Sequence, residues 1–106
     1  MTKQNKLKFR KQMMSLMEKY GATPTGGTSY RIETSLGTLN LTAYYHAEIR
    51  GSLPWIATRF DDVDIAAKKL GWEMNTYSGK WNFHFSKGWT PDCCVDEFER
   101  NLKRVL

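Results

Sequence analysis

The chain has 106 residues, 16 of them Lys or Arg and 11 Asp or Glu, for a net charge of +5. That length supports one domain, residues 1–106, and excludes two separately folding cores; 41% hydrophobic and 25% charged residues exclude a disordered tail. No apolar run reaches the roughly 18–20 residues that cross a bilayer, so no membrane is expected, and residues 1–10 lack the apolar stretch of a secretory signal.

Thr2 to Tyr20 is predicted as a helix. At about 100° per residue, Phe9, Met13, Leu16, Met17 and Tyr20 share one stripe, with Lys8, Lys11, Ser15, Glu18 and Lys19 opposite. Leu7 and Met14 sit to one side of the stripe and are expected to widen the core contact, the alternative being an exposed apolar edge. Gly21 follows where a left-handed cap favours glycine. Six of the basic residues and one acidic residue fall within residues 1–20, and the rest of the chain balances at ten of each. The excess positive charge is therefore local to this helix, which argues against a diffuse nucleic-acid-coating surface. Solvated charges kept for solubility are the plain alternative.

Residues 22–28 (ATPTGGT) read as loop. Ser29–Thr34 and Thr38–His46 read as strands joined by a tight turn at Ser35–Gly37. Leu39, Leu41, Ala43 and Tyr45 point one way, and Thr38, Asn40, Thr42, Tyr44 and His46 the other. Trp55–Phe60 is a third strand, with Ile56 and Phe60 inward and Trp55, Ala57 and Arg59 outward. Asp61 or Asp62 caps a helix ending at Leu70 before Gly71. Residues 72–79 read as loop. Lys80–Ser86 is a fourth strand, with Trp81, Phe83 and Phe85 inward and Lys80, Asn82 and His84 outward. Thr90–Pro91 opens a last helix with Val95, Phe98, Leu102 and Val105 buried. Trp55, Trp72 and Trp89 lie at element ends; each is expected to pack in the core or at its rim, the alternative being an exposed interface anchor.

The expected fold is α+β in the order α-β-β-β-α-β-α. A four-stranded, mostly antiparallel sheet carries the helices on one face. The helix before the fourth strand is long enough for a crossover, so that strand is expected to run parallel to a neighbour, either the first or the third strand.

Chemistry concentrates on the other sheet face, where Arg31, Tyr44, His46, Arg59, Lys80, Asn82 and His84 collect. Such a face can bind an anion or stack on a base, and it can equally be the ordinary wet side of an antiparallel sheet. If the fourth strand abuts the third, Arg59 and Lys80 come close and call for an anion or carboxylate. The candidate binding residues are therefore Lys8, Lys11, Lys19, Tyr44, His46, Arg59, Lys80, Asn82 and His84.

Sharper motifs fail. Gly79-Lys80 lacks the earlier glycine and the hydroxyl of a phosphate loop. His46-Ala47-Glu48 with Pro91-Asp92-Cys93-Cys94 only echoes the zinc deaminase spacing. No metal or cofactor is expected, and no catalytic set stands out. Adjacent cysteines do not readily form a disulfide, so reduced thiols and a cytoplasmic setting are expected. Cys94 is expected to fill space beneath the last helix.

Trp55-Ile-Ala-Thr-Arg-Phe-Asp-Asp62 and Asn75-Thr-Tyr-Ser-Gly-Lys-Trp-Asn-Phe-His-Phe85 together resemble a pattern of uncharacterised small proteins from bacteriophages and mobile elements. The resemblance implies a non-enzymatic binding protein that engages a host protein or nucleoprotein complex, with inhibitors of CRISPR and other host defences as one such group. The alternative expectation is a nucleic-acid-binding accessory domain that uses the lysines of the first helix together with the polar, aromatic sheet face on DNA or RNA.

Overall fold

Helix α1, Thr2–Lys19, forms where the apolar stripe predicts it. Its buried residues are Phe9, Met13, Leu16 and Met17. At its end Ala22 N donates to Met17 O and Gly21 N to Glu18 O, with Gly21 at φ 69°. This is the double-bonded cap that glycine permits. A computed structural model describes residues 2–46, 53–81, 83 and 90–106, and the side chains of 4–44, 54–81, 83 and 90–106.

The strands are β1 (Thr23–Gly26), β2 (Ser29–Thr34), β3 (Gly37–His46), β4 (Leu53–Phe60), β5 (Met74–Asn75) and β6 (Lys80–Trp81), with α2 (Val63–Leu70) after β4 and α3 (Pro91–Lys103) after β6. They form one sheet of spatial order β1-β2-β3-β4-β6-β5 in which every neighbouring pair is antiparallel. The class is α+β as expected, but the sheet has six strands rather than four. Asp62 caps α2 by accepting from Ile65 N, and Thr90 caps α3 by accepting from Cys93 N, with Pro91 in the first turn.

The fourth expected strand is β6, and it runs antiparallel to β4 rather than parallel. The chain leaves β4 through α2 and a short 3-10 turn, Gly71–Glu73, and first lays down β5. Because β4 and β5 are both antiparallel to β6, they run in the same direction. The crossover thus delivers a parallel strand one position out, and a four-residue turn folds β6 back into the gap as a split βαβ unit. Asn75 Oδ1 accepts from the amides of Tyr77 and Ser78, and Asn75 O accepts from Gly79 N at 2.9 Å. Residues 82 and 84–86 of the expected strand lie outside the described residues.

All three helices bury their stripes against the same sheet face. Phe9, Met13, Ala66, Leu70, Phe98 and Leu102 join Ile32, Leu39, Leu41, Ile56, Phe60 and Trp81 in one cluster. Trp81 packs on Phe60 and Phe83, with ring centroids 5.6 and 4.8 Å away, and Phe83 meets Phe98 edge-on. The end of α3 is tied to the β2–β3 turn, where Ser35 N and Oγ both donate to Val105 O. Two apolar expectations are corrected, one for Leu7 and Met14 and one for Trp72. Leu7 and Met14 stand half exposed, because the α1 stripe is narrower than the hydrophobic set. Trp72 is 92% exposed on the 3-10 turn; Trp55 is exposed on the outer sheet face, where strand alternation places it. Trp89 lies outside the described residues.

Candidate binding face

Alternation along β2, β3, β4 and β6 turns every second side chain outward, and the register aligns those side chains into rows across the sheet. One row crosses all six strands. Thr23 pairs with Arg31, Arg31 with Asn40, Asn40 with Arg59, Arg59 with Lys80, and Lys80 with Asn75. Flanking residues Tyr30, Ile32, Leu39, Leu41, Thr58, Phe60 and Trp81 are buried, so the row faces solvent. Arg31, Arg59 and Lys80 are all exposed.

Arg59 and Lys80 sit directly opposite each other. Like charges directly opposite each other across two strands cost stability. Among the described residues no carboxylate forms an ion pair with Arg31, Arg59 or Lys80. The four ion pairs there are Lys8–Asp92, Lys19–Glu99, Arg100–Glu97 and Arg104–Glu73. Among the described residues, Glu33 and Asp61 flank the row on its side toward Thr38 and serve neutral donors. Glu33 accepts from Thr38 Oγ1 at 2.8 and 3.0 Å, and Asp61 accepts from Asn40 Nδ2 at 2.7 Å.

On the other side of the row the side chains shrink. Ser29 pairs with Thr42 and Thr42 with Ala57, and the two hydroxyls lie 2.8 Å apart. This leaves an open trough of ≈ 280 Å³, floored by Ser29, Thr42 and Ala57 and walled by Asn40, Arg59 and Lys80. Beyond the trough Tyr44 pairs with Trp55 across β3 and β4. Their ring centroids are 5.6 Å apart at a 39° tilt. They are 43% and 46% exposed. Along the strands the face therefore runs from carboxylates through cations and small hydroxyl residues to aromatics.

Of the expected site residues, the fold brings Tyr44, Arg59 and Lys80 onto this face. The backbone of His46 pairs with Leu53 at the end of β3, but its side chain lies outside the described residues, as do Asn82 and His84. The α1 lysines are elsewhere, since α1 covers the opposite sheet face. Lys8 Nζ lies 2.9 Å from Asp92, which also accepts from Gln12. Lys19 Nζ lies 2.7 Å from Glu99, which accepts from Tyr20 as well at 2.6 Å. The hydrogen bond from Lys8 holds Asp92 below the usual carboxylate range, and that from Lys19 does the same for Glu99. Lys11 lines the open groove between α1 and α3. The helix lysines and the sheet cations thus cannot grip one small ligand together. Sequence reasoning placed Arg31 and Trp55 on the outer face without making them site residues. It missed the trough altogether, although alternation of Thr42 and Ala57 with buried neighbours carries that signal.

Among the described residues no group of three His, Cys, Asp or Glu side chains can hold a metal ion. Cys94 is fully buried, and burial pushes its thiol up to about 12, whereas Cys93 is exposed with Thr90 Oγ1 3.3 Å from its sulfur. No helix among the described residues is long and apolar enough to cross a membrane. No protein-family model, curated protein or solved structure matches this chain.

Proposed function

We propose that this chain is a non-enzymatic binding protein of the phage type its sequence resembles, engaging a host protein or nucleoprotein complex through its outer sheet face in the cytoplasm of the host cell. An effector complex of a host defence system such as CRISPR is a partner of that kind. The observation that carries the reading is the directly opposed Arg59–Lys80 pair, held on an exposed surface with no carboxylate to offset it among the described residues. Folding gains nothing from two cations so placed, whereas an anionic partner turns their repulsion into attraction. The open trough and the adjoining Tyr44–Trp55 pair supply the apolar contact and large rings that anchor interfaces.

The test is affinity capture from bacterial lysate with mass spectrometry, with and without nuclease, using the wild-type chain and a variant carrying Arg59→Glu and Lys80→Glu. The wild type is expected to retain a defined host component that the variant loses. Retention of the same component by both proteins, or of none by either across several hosts, rejects the reading.

A further inference from the structure

We infer that the ligand of the outer face is single-stranded nucleic acid, with phosphates on the Arg31–Arg59–Lys80 row and bases on the Tyr44–Trp55 pair; this rests on the proposal that the outer face is the binding surface. Three cations on one row, spread over about 14 Å of sheet, match a chain of repeated negative charges better than one isolated anion. Arg31 and Arg59 supply planar forks for phosphate oxygens, and Lys80 a point charge. Asn40 stands between the two arginines, with its amide already donating to Asp61.

The acids set the direction of the track. Glu33 and Asp61 close the side of the row toward Thr38, so a polyanion is turned toward the trough. There the floor of Ser29, Thr42 and Ala57 is low enough to admit a sugar and polar enough to hydrogen-bond it. About 13 Å along the strands from Arg59, the exposed rings of Tyr44 and Trp55 meet whatever extends from the backbone. A duplex keeps its bases inside and offers these rings nothing, whereas a single strand can splay its bases onto them, as other sheet faces accept two or three stacked bases. A purely protein partner uses the cations but has no particular need of three of them on one row.

The test is fluorescence anisotropy of the full chain with labelled oligo(dT), oligo(U) and a duplex, across a salt series. Three phosphate contacts predict a slope of log affinity against log salt of about −2 for single strands, falling to about −0.7 when Arg59→Ala and Lys80→Ala are combined. Trp55→Leu should weaken binding at least about 5-fold with the slope unchanged, and Trp55→Phe should restore most of it. Melting curves confirm that each variant is folded, and Lys6→Glu serves as a charge control on the opposite side of the molecule. Equal affinity for duplex, or a slope indifferent to Arg59 and Lys80, overturns the inference. So does an absence of oligonucleotide binding combined with capture of a nuclease-resistant host protein that needs Arg59; that outcome leaves the face reading standing. Loss of both signals removes both proposals.

Discussion

Replacing Gly79 with alanine should loosen the β5–β6 hairpin from β4. Gly79 has φ +73°, and a Cβ built there lies 3.0 Å from Val63 Cγ2 and 3.1 Å from Phe60 O. The valine methyl can turn aside, but the Phe60 carbonyl belongs to a strand whose own Phe60 N donates to Gly79 O at 2.9 Å. The left-handed conformation costs an L-residue about 1–2 kcal/mol, and overpacking adds about 1–3 kcal/mol. A loss of about 2–5 kcal/mol follows, a large share of the stability of a small domain. Urea unfolding followed by tryptophan fluorescence should show a lower midpoint at unchanged slope. Gly27→Ala is the control, since Gly27 has φ +55° with open space around it and should show the conformational cost alone. A Gly79→Ala midpoint no lower than that of the control refutes the close approach of Gly79 to the Phe60 carbonyl.

Phe98→Ala removes a fully buried ring that contacts Phe83 and should cost about 3–5 kcal/mol in the same assay; a change near zero means the α3 stripe is not core. A thiol reagent near neutral pH should modify Cys93 rapidly and Cys94 only in denaturant, because Cys94 is buried with its thiol pushed up to about 12; two rapid equivalents in the folded protein contradict the packing of α3. Asp92, Glu99 and Glu73 titrate below the usual carboxylate range when folded. Their contribution is therefore complete above that range, about pH 4, and is lost as pH falls through the lowered folded-state values. Glu99→Gln should flatten the acid limb of stability against pH, and an unaltered limb means the α1–α3 tie adds nothing. Lys19 is shifted upward by Glu99, so its contribution persists through neutral pH and fades only above the ordinary lysine range.

Local signals located most of the elements. A cap at Asp61 or Asp62, the Thr90–Pro91 start and Gly21 were legible because each follows from backbone groups within a few residues, and the structure selects Asp62. The inward set Leu39, Leu41 and Ala43 followed from period-two alternation. β1 was not legible: TPTG has no alternation, carries Pro24 and is exposed at all four positions, as befits an edge strand. β5 is two residues long, and missing it reversed the expected direction of β6. Arg59, Lys80 and Tyr44 could be placed outward, but their union with Arg31 and Asn40 in one row depends on strand register, which no single segment states. Charge counting marked the α1 lysines as available, while their partners Asp92 and Glu99 lie some 80 residues away in sequence.

If Arg59 opposes Lys80 for a ligand's sake, the pair comes at some cost to the fold. The most direct measurement is the unfolding free energy of Arg59→Glu. Opposite charges directly across two strands predict stability equal to or above that of the natural chain, by up to about 1 kcal/mol. A clear loss of stability contradicts the account, because it would make Arg59 a structural residue.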